Sequence, residues 1–130
     1  MDTSAWIEYL RATGSETHHR LRDLLSADAP LHTTDVVMME VLAGGRDEAH
    51  AAQLRRLLLR CEFVPVDGLA DFEHAAALFR RCRRAGETIR ALNDCLISAV
   101  AIRSQLAVLH ADRDFEAIAR HTDLRLDRDD

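Results

Sequence analysis

Apolar positions along the chain fall into short bursts whose spacing switches between helical and extended. Trp6, Ile7 and Leu10 predict a short helix over 5–11, and Leu21, Leu24 and Leu25 predict one over 16–26 with Ser15 as its N-cap. Leu31–Thr33, after Pro30, reads as a strand. Thr34 can cap a helix over 35–43 that Gly44 and Gly45 end. The stretch 47–60 is amphipathic, with Leu54, Leu57 and Leu58 on one side and Arg55, Arg56 and Arg60 largely off it. Phe63, Val64 and Val66 predict a strand, and 69–85 a long helix stopped by Gly86. After Asn93 and Asp94, residues 93–103 are apolar almost all round, as expected of a helix buried on most sides. A strand at 107–109, a helix at 114–120 and a strand at 124–126 complete the pattern, and the tail 127–130 is expected to fray.

Strands separated by helices predict an α/β fold with a central parallel sheet and helices on both faces. Neither a repeat nor a Pro/Gly/Ser linker interrupts the 130 residues, so a single domain spanning 1–130 is expected. Ligands of such sheets sit at the carboxyl ends of the strands. The residues just past each strand therefore become the candidates for chemistry.

Composition narrows the choice. Apolar residues make up 48% and charged residues 30%, enough for a core in a soluble fold. No run approaches the roughly 18 apolar residues of a membrane span, and the start, MDTSAWIEYL, lacks the features of an export signal. A cytoplasmic location follows as the expectation. Every one of the 17 basic residues is Arg. The absence of Lys excludes P-loop nucleotide chemistry, Schiff-base catalysis and a phosphoacceptor receiver domain. Cys61, Cys82 and Cys95 form no C-x-x-C pair, so buried reduced thiols are expected rather than a zinc site.

Five acids stand out. Asp112 and Asp114 follow the 107–109 strand, and Asp94 opens the buried helix. Glu40 sits among Val36, Val37, Met38, Met39, Val41 and Leu42, and Asp2 precedes the Trp6/Ile7 pattern. Singly, the aspartates can be helix caps or solvated residues and Glu40 an exposed helix position. Together they come from four separated segments, which capping does not explain. Ionised carboxylates gathered within a few ångströms need a cation, and all-oxygen donors select Mg²⁺ or Mn²⁺ over zinc.

At these residues the chain resembles a known family. D-T-S-A-W at Asp2–Trp6, T-T-D-V-V-M-M-E-V-L-A-G at Thr33–Gly44, N-D-C-L-I-S-A at Asn93–Ala99 and H-A-D-R-D-F at His110–Phe115 look like the four signatures of PIN domains. The resemblance is greatest to the VapC-type toxins of bacterial toxin–antitoxin pairs. It implies an α/β/α sandwich with a parallel sheet of four to five short strands. It also implies a metal-dependent endoribonuclease acting on tRNA or rRNA, neutralised by a cognate VapB-type antitoxin. Carried over residue by residue, the catalytic quartet falls on Asp2, Glu40, Asp94 and Asp112. The metal ligands would be Asp2, Asp94, Asp112 and Asp114, holding one or two Mg²⁺ or Mn²⁺ ions, with Ser4 and Asn93 as supporting polar groups. Members of the family usually carry several apolar residues before the first Asp, whereas only Met1 precedes Asp2 here. A shortened first strand, or a start further upstream, is the expectation.

The proposed chemistry needs neither a Ser/His/Asp nor a Cys/His arrangement, and His110 is expected to be structural or close to substrate. Arg80, Arg81, Arg83 and Arg84 cluster before Gly86, with Arg90 beyond. They can form a solvated helix face, or Arg83 and Arg84 can contact RNA phosphates beside the acidic cleft. Trp6, Tyr9 and Leu10, or Leu54, Leu57 and Leu58, are expected to pack in the core, with a homodimer contact or an antitoxin groove as the other use. The reading in a different class is a catalytically silent PIN-like module that only binds RNA or a protein. A phosphohydrolase with an Asp nucleophile fits less well, because Thr3 and Ser4 follow Asp2 where D-x-D is usual.

The net charge of −5 at first opposes a nucleic-acid partner. Setting aside the five acids above and residues 127–130 leaves 14 acids against 16 arginines. The acidic excess belongs to the candidate metal cleft and the tail, and the body of the domain is mildly basic.

Overall fold

A computed structural model describes residues 1–127. Its helices are α1 (Thr3–Leu10), α2 (Glu16–Ser26), α3 (Asp35–Ala43), α4 (Glu48–Leu58), α5 (Gly68–Arg84), α6 (Leu92–Arg103) and α7 (Arg113–His121). Two short strands, β1 (His32–Thr33) and β2 (Glu62–Phe63), complete the regular elements. Most of the expected 127–130 tail lies outside the described residues. Asp127 is not frayed: its N–H donates to the Val108 carbonyl at 2.9 Å and its carboxylate accepts from Arg20.

Local chemistry sets where the helices begin. Ser15 caps α2 by accepting from the His18 N–H, and Asp47 caps α4 by accepting from the His50 N–H. Asp2 caps α1 and Asp112 caps α7, so α1 starts two residues earlier than its apolar pattern suggests. Thr34 holds the N-cap position of α3 without a side-chain bond. Asp94, by contrast, caps nothing. Helix α6 starts at Leu92 after Ala91, which leaves Asp94 inside the first turn.

The sheet is parallel and very short. β1 and β2 pair in the register His32↔Glu62 and Thr33↔Phe63. The strand expected to run to Val66 stops at Phe63, since Pro65 has no N–H to continue the ladder. On the other side of β1, the Met1 amino group donates to the His32 carbonyl and the Asp2 N–H donates to the Leu109 carbonyl, each at 3.0 Å. Val108 then forms a parallel bridge with Leu126. Five extended segments thus lie in the spatial order 62–63, 32–33, 1–2, 108–109 and 126, although only two count as strands.

Trp6, Leu21, Val37, Leu58, Phe115 and Ile118 are essentially inaccessible and fill the core. Trp6, Leu54 and Leu58 therefore pack inside, while Leu10 is left exposed. Helix α6 buries every residue from Asp94 to Ala101, as its all-round apolar pattern predicts. Helices α5 and α7 pack against α6, α1 packs on α2 and α3, and α3 also reaches α6. An ion pair between a buried carboxylate and a partly exposed guanidinium holds α5 to α6. Arg103 Nε donates to Asp71 Oδ1 at 3.0 Å and its Nη2 to Asp71 Oδ2 at 2.9 Å.

Candidate metal centre

Each acid is delivered by a different structural device. Asp2 lies where the central extended segment turns into α1. Its Oδ2 accepts from the Ser4 N–H at 2.9 Å and the Ser4 hydroxyl at 2.5 Å. The same hydroxyl accepts from the Ala111 N–H at 2.9 Å, tying Asp2 to the loop that carries Asp112. Glu40 projects from α3, and its Oε1 accepts from the Thr3 hydroxyl at 2.8 Å. Asp94 comes from the first turn of α6. Asp112 and Asp114 follow the 108–109 segment at the start of α7, where Asp112 Oδ1 accepts from the Asp114 N–H at 3.0 Å.

These segments converge. One oxygen from each of Asp94, Asp112 and Asp114 lies within 4.8 Å of the others. Asp2 and Glu40 stand around this triad. Burial, followed by the charges of Asp2, Asp112, Asp114 and Glu40, pushes the Asp94 carboxyl up to about 8. A carboxyl in that state is cut off from water and lies close to other negative charges, a combination common at functional sites. Asp114, a metal ligand outside the catalytic quartet that the resemblance implies, belongs to the triad, whereas Asp2 and Glu40 lie outside it.

The donor set fits a hard divalent cation. All the converging atoms are carboxylate oxygens, the ligand class that Mg²⁺ and Mn²⁺ prefer. Asp2 Oδ1 and Asp94 Oδ2 are buried and have no hydrogen-bond partner among the described residues. Buried polar atoms without partners are rare and call for an explanation such as an ion. An ion between them would supply the missing partner.

The supporting groups divide. Ser4 is bonded to Asp2, while Asn93, half-buried beside Asp94, makes no hydrogen bond to the carboxylates among the described residues. His110 lies nearly buried under the loop. Its Nδ1 accepts from the Asp112 N–H at 3.1 Å, its Nε2 faces Glu116 at 3.5 Å, and burial lowers its pKa. It holds the loop that presents Asp112. The three cysteines are buried and free, and burial raises the pKa of each.

The arginine in contact with the cluster is Arg90. Its N–H donates to Asp114 Oδ2 at 3.0 Å and its Nη2 to Asp112 Oδ1 at 3.1 Å. Arg83 and Arg84 are exposed on the last turn of α5, where Arg83 lies over the Phe79 ring. Neither forms an ion pair with the acids among the described residues. The only sequence signal for Arg90 is its place in T-I-R-A-L-N-D, four residues before Asp94. The loop bearing it is anchored by buried Ile89 and by Glu87, which pairs with Arg120 and His121 of α7.

Known proteins resemble this chain along most of its length. Residues 1–121 match the family model described as PIN domain. Over 126 residues the chain is 45% identical to VapC ribonuclease Mb1587 of Mycobacterium bovis, covering 96% of this chain and 94% of that protein. Ribonuclease VapC11 of Mycobacterium tuberculosis matches with the same identity and coverage. Among solved structures, VapBC2 from Rickettsia felis, bound to a DNA fragment from its promoter, superposes with a TM-score of 0.72 at 18% identity. That match covers 99% of this chain and 96% of the other, and at such identity it speaks for the fold alone.

Proposed function

We propose a mechanism from the premise that this chain belongs to the PIN domain family and stands among its VapC ribonucleases. It is a toxin ribonuclease neutralised by a VapB-type antitoxin. The finer reading is an endoribonuclease dependent on Mg²⁺ or Mn²⁺ that hydrolyses internal phosphodiesters of a structured RNA such as tRNA or rRNA.

Convergence of carboxylates from separated segments, two of them with unpartnered buried oxygens, is the observation that carries this reading. Asp2, Asp94, Asp112 and Asp114 would hold the ion. Bound there, a divalent ion lowers the pKa of water and offsets charge on the attacked phosphate and leaving oxygen. Ser4 fixes one Asp2 oxygen and leaves Oδ1 facing inward. Glu40 is held at Oε1 by Thr3, so its other oxygen is the atom suited to orient the attacking water and accept its proton. Asp94 must lose its own proton before it can act as a ligand.

Partners follow from the same reading. A groove of about 420 Å³ beside Glu40, lined by Ile7, Leu10, Val41 and Leu54, suits the apolar face of an antitoxin helix. Exposed Leu69 and Phe72 at the start of α5 suit a homodimer contact. No helix among the described residues is long and apolar enough to cross a membrane.

Incubating the purified protein with total RNA tests the activity. Cleavage should require added Mg²⁺ or Mn²⁺, stop with EDTA and be absent from Asp94→Asn. RNA binding without cleavage under all these conditions would point instead to a silent binding module.

A further inference from the structure

Arg90 occupies a position that the proposed chemistry does not by itself require. Its guanidinium holds Asp112 Oδ1 at 3.1 Å and Asp114 Oδ1 at 3.5 Å, so one side chain spans two of the three converging carboxylates. The same side chain is 55% exposed, and its polar partners among the described residues are these two carboxylates. Its backbone is held separately, through the N–H bond to Asp114 Oδ2 and the burial of Ile89. The residue therefore has a fixed root and a movable head.

A guanidinium and a divalent cation cannot both neutralise the same carboxylate oxygens without repelling each other. Resting on the proposed metal-dependent function, we infer that Arg90 is a built-in competitor for the cation. Its head neutralises Asp112 and Asp114 in the metal-free protein and leaves them when the ion is held. The fixed root then keeps the displaced head beside the ion, where its planar fork suits a nonbridging phosphate oxygen of the RNA. The exchange couples metal loading to substrate capture, and the coupling is reciprocal.

The test is Mn²⁺ binding by calorimetry or by electron paramagnetic resonance, with a non-cleavable 2′-O-methyl oligonucleotide as the RNA probe. Arg90→Ala should bind Mn²⁺ roughly twofold to fivefold more tightly than wild type, the range set by a half-exposed ion pair. Arg90→Lys, which keeps the charge and loses the fork, should fall between the two. Arg56→Ala, the same charge change at an exposed position on α4, should change the affinity by less than about twofold at moderate ionic strength. In EDTA the probe should bind wild type and Arg90→Ala alike, and with Mn²⁺ it should bind the variant more weakly. Equal or weaker Mn²⁺ binding by Arg90→Ala overturns the inference, as does an equal gain in Arg56→Ala. Failure of both wild type and Arg90→Ala to bind Mn²⁺ overturns the metal-dependent reading together with this inference.

Discussion

After burial, the charge of Asp2 is the strongest influence on Asp94, and among the described residues each of the two keeps one buried carboxylate oxygen without a partner. Asp2 caps the start of α1 and Asp94 lies in the first turn of α6. This arrangement stores electrostatic repulsion that a cation would relieve.

One consequence is a pH dependence of opposite sign to that of most carboxylates. Asp94 is raised to about 8 in the folded chain, while in the unfolded chain it titrates near its ordinary value of 3.8. Between these limits the folded state binds the extra proton, so metal-free stability falls as pH rises through the window. Thermal unfolding in EDTA should show Tm dropping between pH 6 and pH 8.5. Asp94→Asn should flatten that slope and raise Tm at pH 8.5 by about 3–5 °C, equivalent to about 1 kcal/mol for a domain of this size. Mn²⁺ should raise the wild-type Tm most at the higher pH, because the ion competes with the proton. A pH-independent Tm in EDTA would contradict the placement of Asp94.

Ser4 connects Asp2 to the loop carrying Asp112 through two bonds on one hydroxyl. Removing that hydroxyl should misalign both carboxylates while sparing the core. Ser4→Ala is expected to lower RNA cleavage or Mn²⁺ affinity about 10–100-fold, the usual loss for groups that orient metal ligands. Thr3→Val should reduce the cleavage rate through Glu40 and leave Mn²⁺ affinity nearly unchanged. A Ser4→Ala protein with wild-type rate and affinity would show that the bond is incidental.

Asp71 and Arg103 concern stability rather than chemistry. The hydrogen bonds from Arg103, more than any other influence, hold the Asp71 carboxyl below its usual range. A lowered folded pKa contributes stability above the unfolded value, which is lost as pH falls through the folded value, below about pH 4. Arg103→Ala leaves a buried carboxylate with only the Asp67 N–H and should cost about 1–3 kcal/mol, less than a fully buried pair because Arg103 is partly exposed. Chemical denaturation measures this directly. Mn²⁺ affinity of the folded variant should stay within about twofold of wild type.

Much of this could be read from the sequence where the cause is local. A cap is specified by one side chain and the helix after it, so Ser15 and the amphipathic runs locate α2 and α4. The all-round apolar stretch after Asp94 likewise announces the buried α6. Strand ends depend on backbone pairing, which is why 63–66 shrinks to β2 and 124–126 to a single bridge. The acids carry a signal because carboxylates are unexpected beside apolar runs. The pairings carry none: Arg90 with Asp112, Thr3 with Glu40 and Asp71 with Arg103 meet only through tertiary folding.

Arg83 and Arg84 remain candidates for RNA contact from the exposed end of α5. For a single-stranded probe, neutralising both should weaken binding and reduce the slope of log K against log salt by about 1.4, or 0.7 per lost phosphate contact. Fluorescence anisotropy across a salt series reads this slope. An unchanged slope would make the pair a solvated helix face.

The central claim is that these carboxylates are a cation site. Its most direct test is an anomalous difference map from a crystal of the metal-free protein soaked in Mn²⁺. The account predicts a peak about 2.1 Å from oxygens of Asp94 and Asp112, facing Asp2 Oδ1 and with the Arg90 guanidinium displaced. A map without a peak among these carboxylates, at Mn²⁺ concentrations that support RNA cleavage, would contradict it.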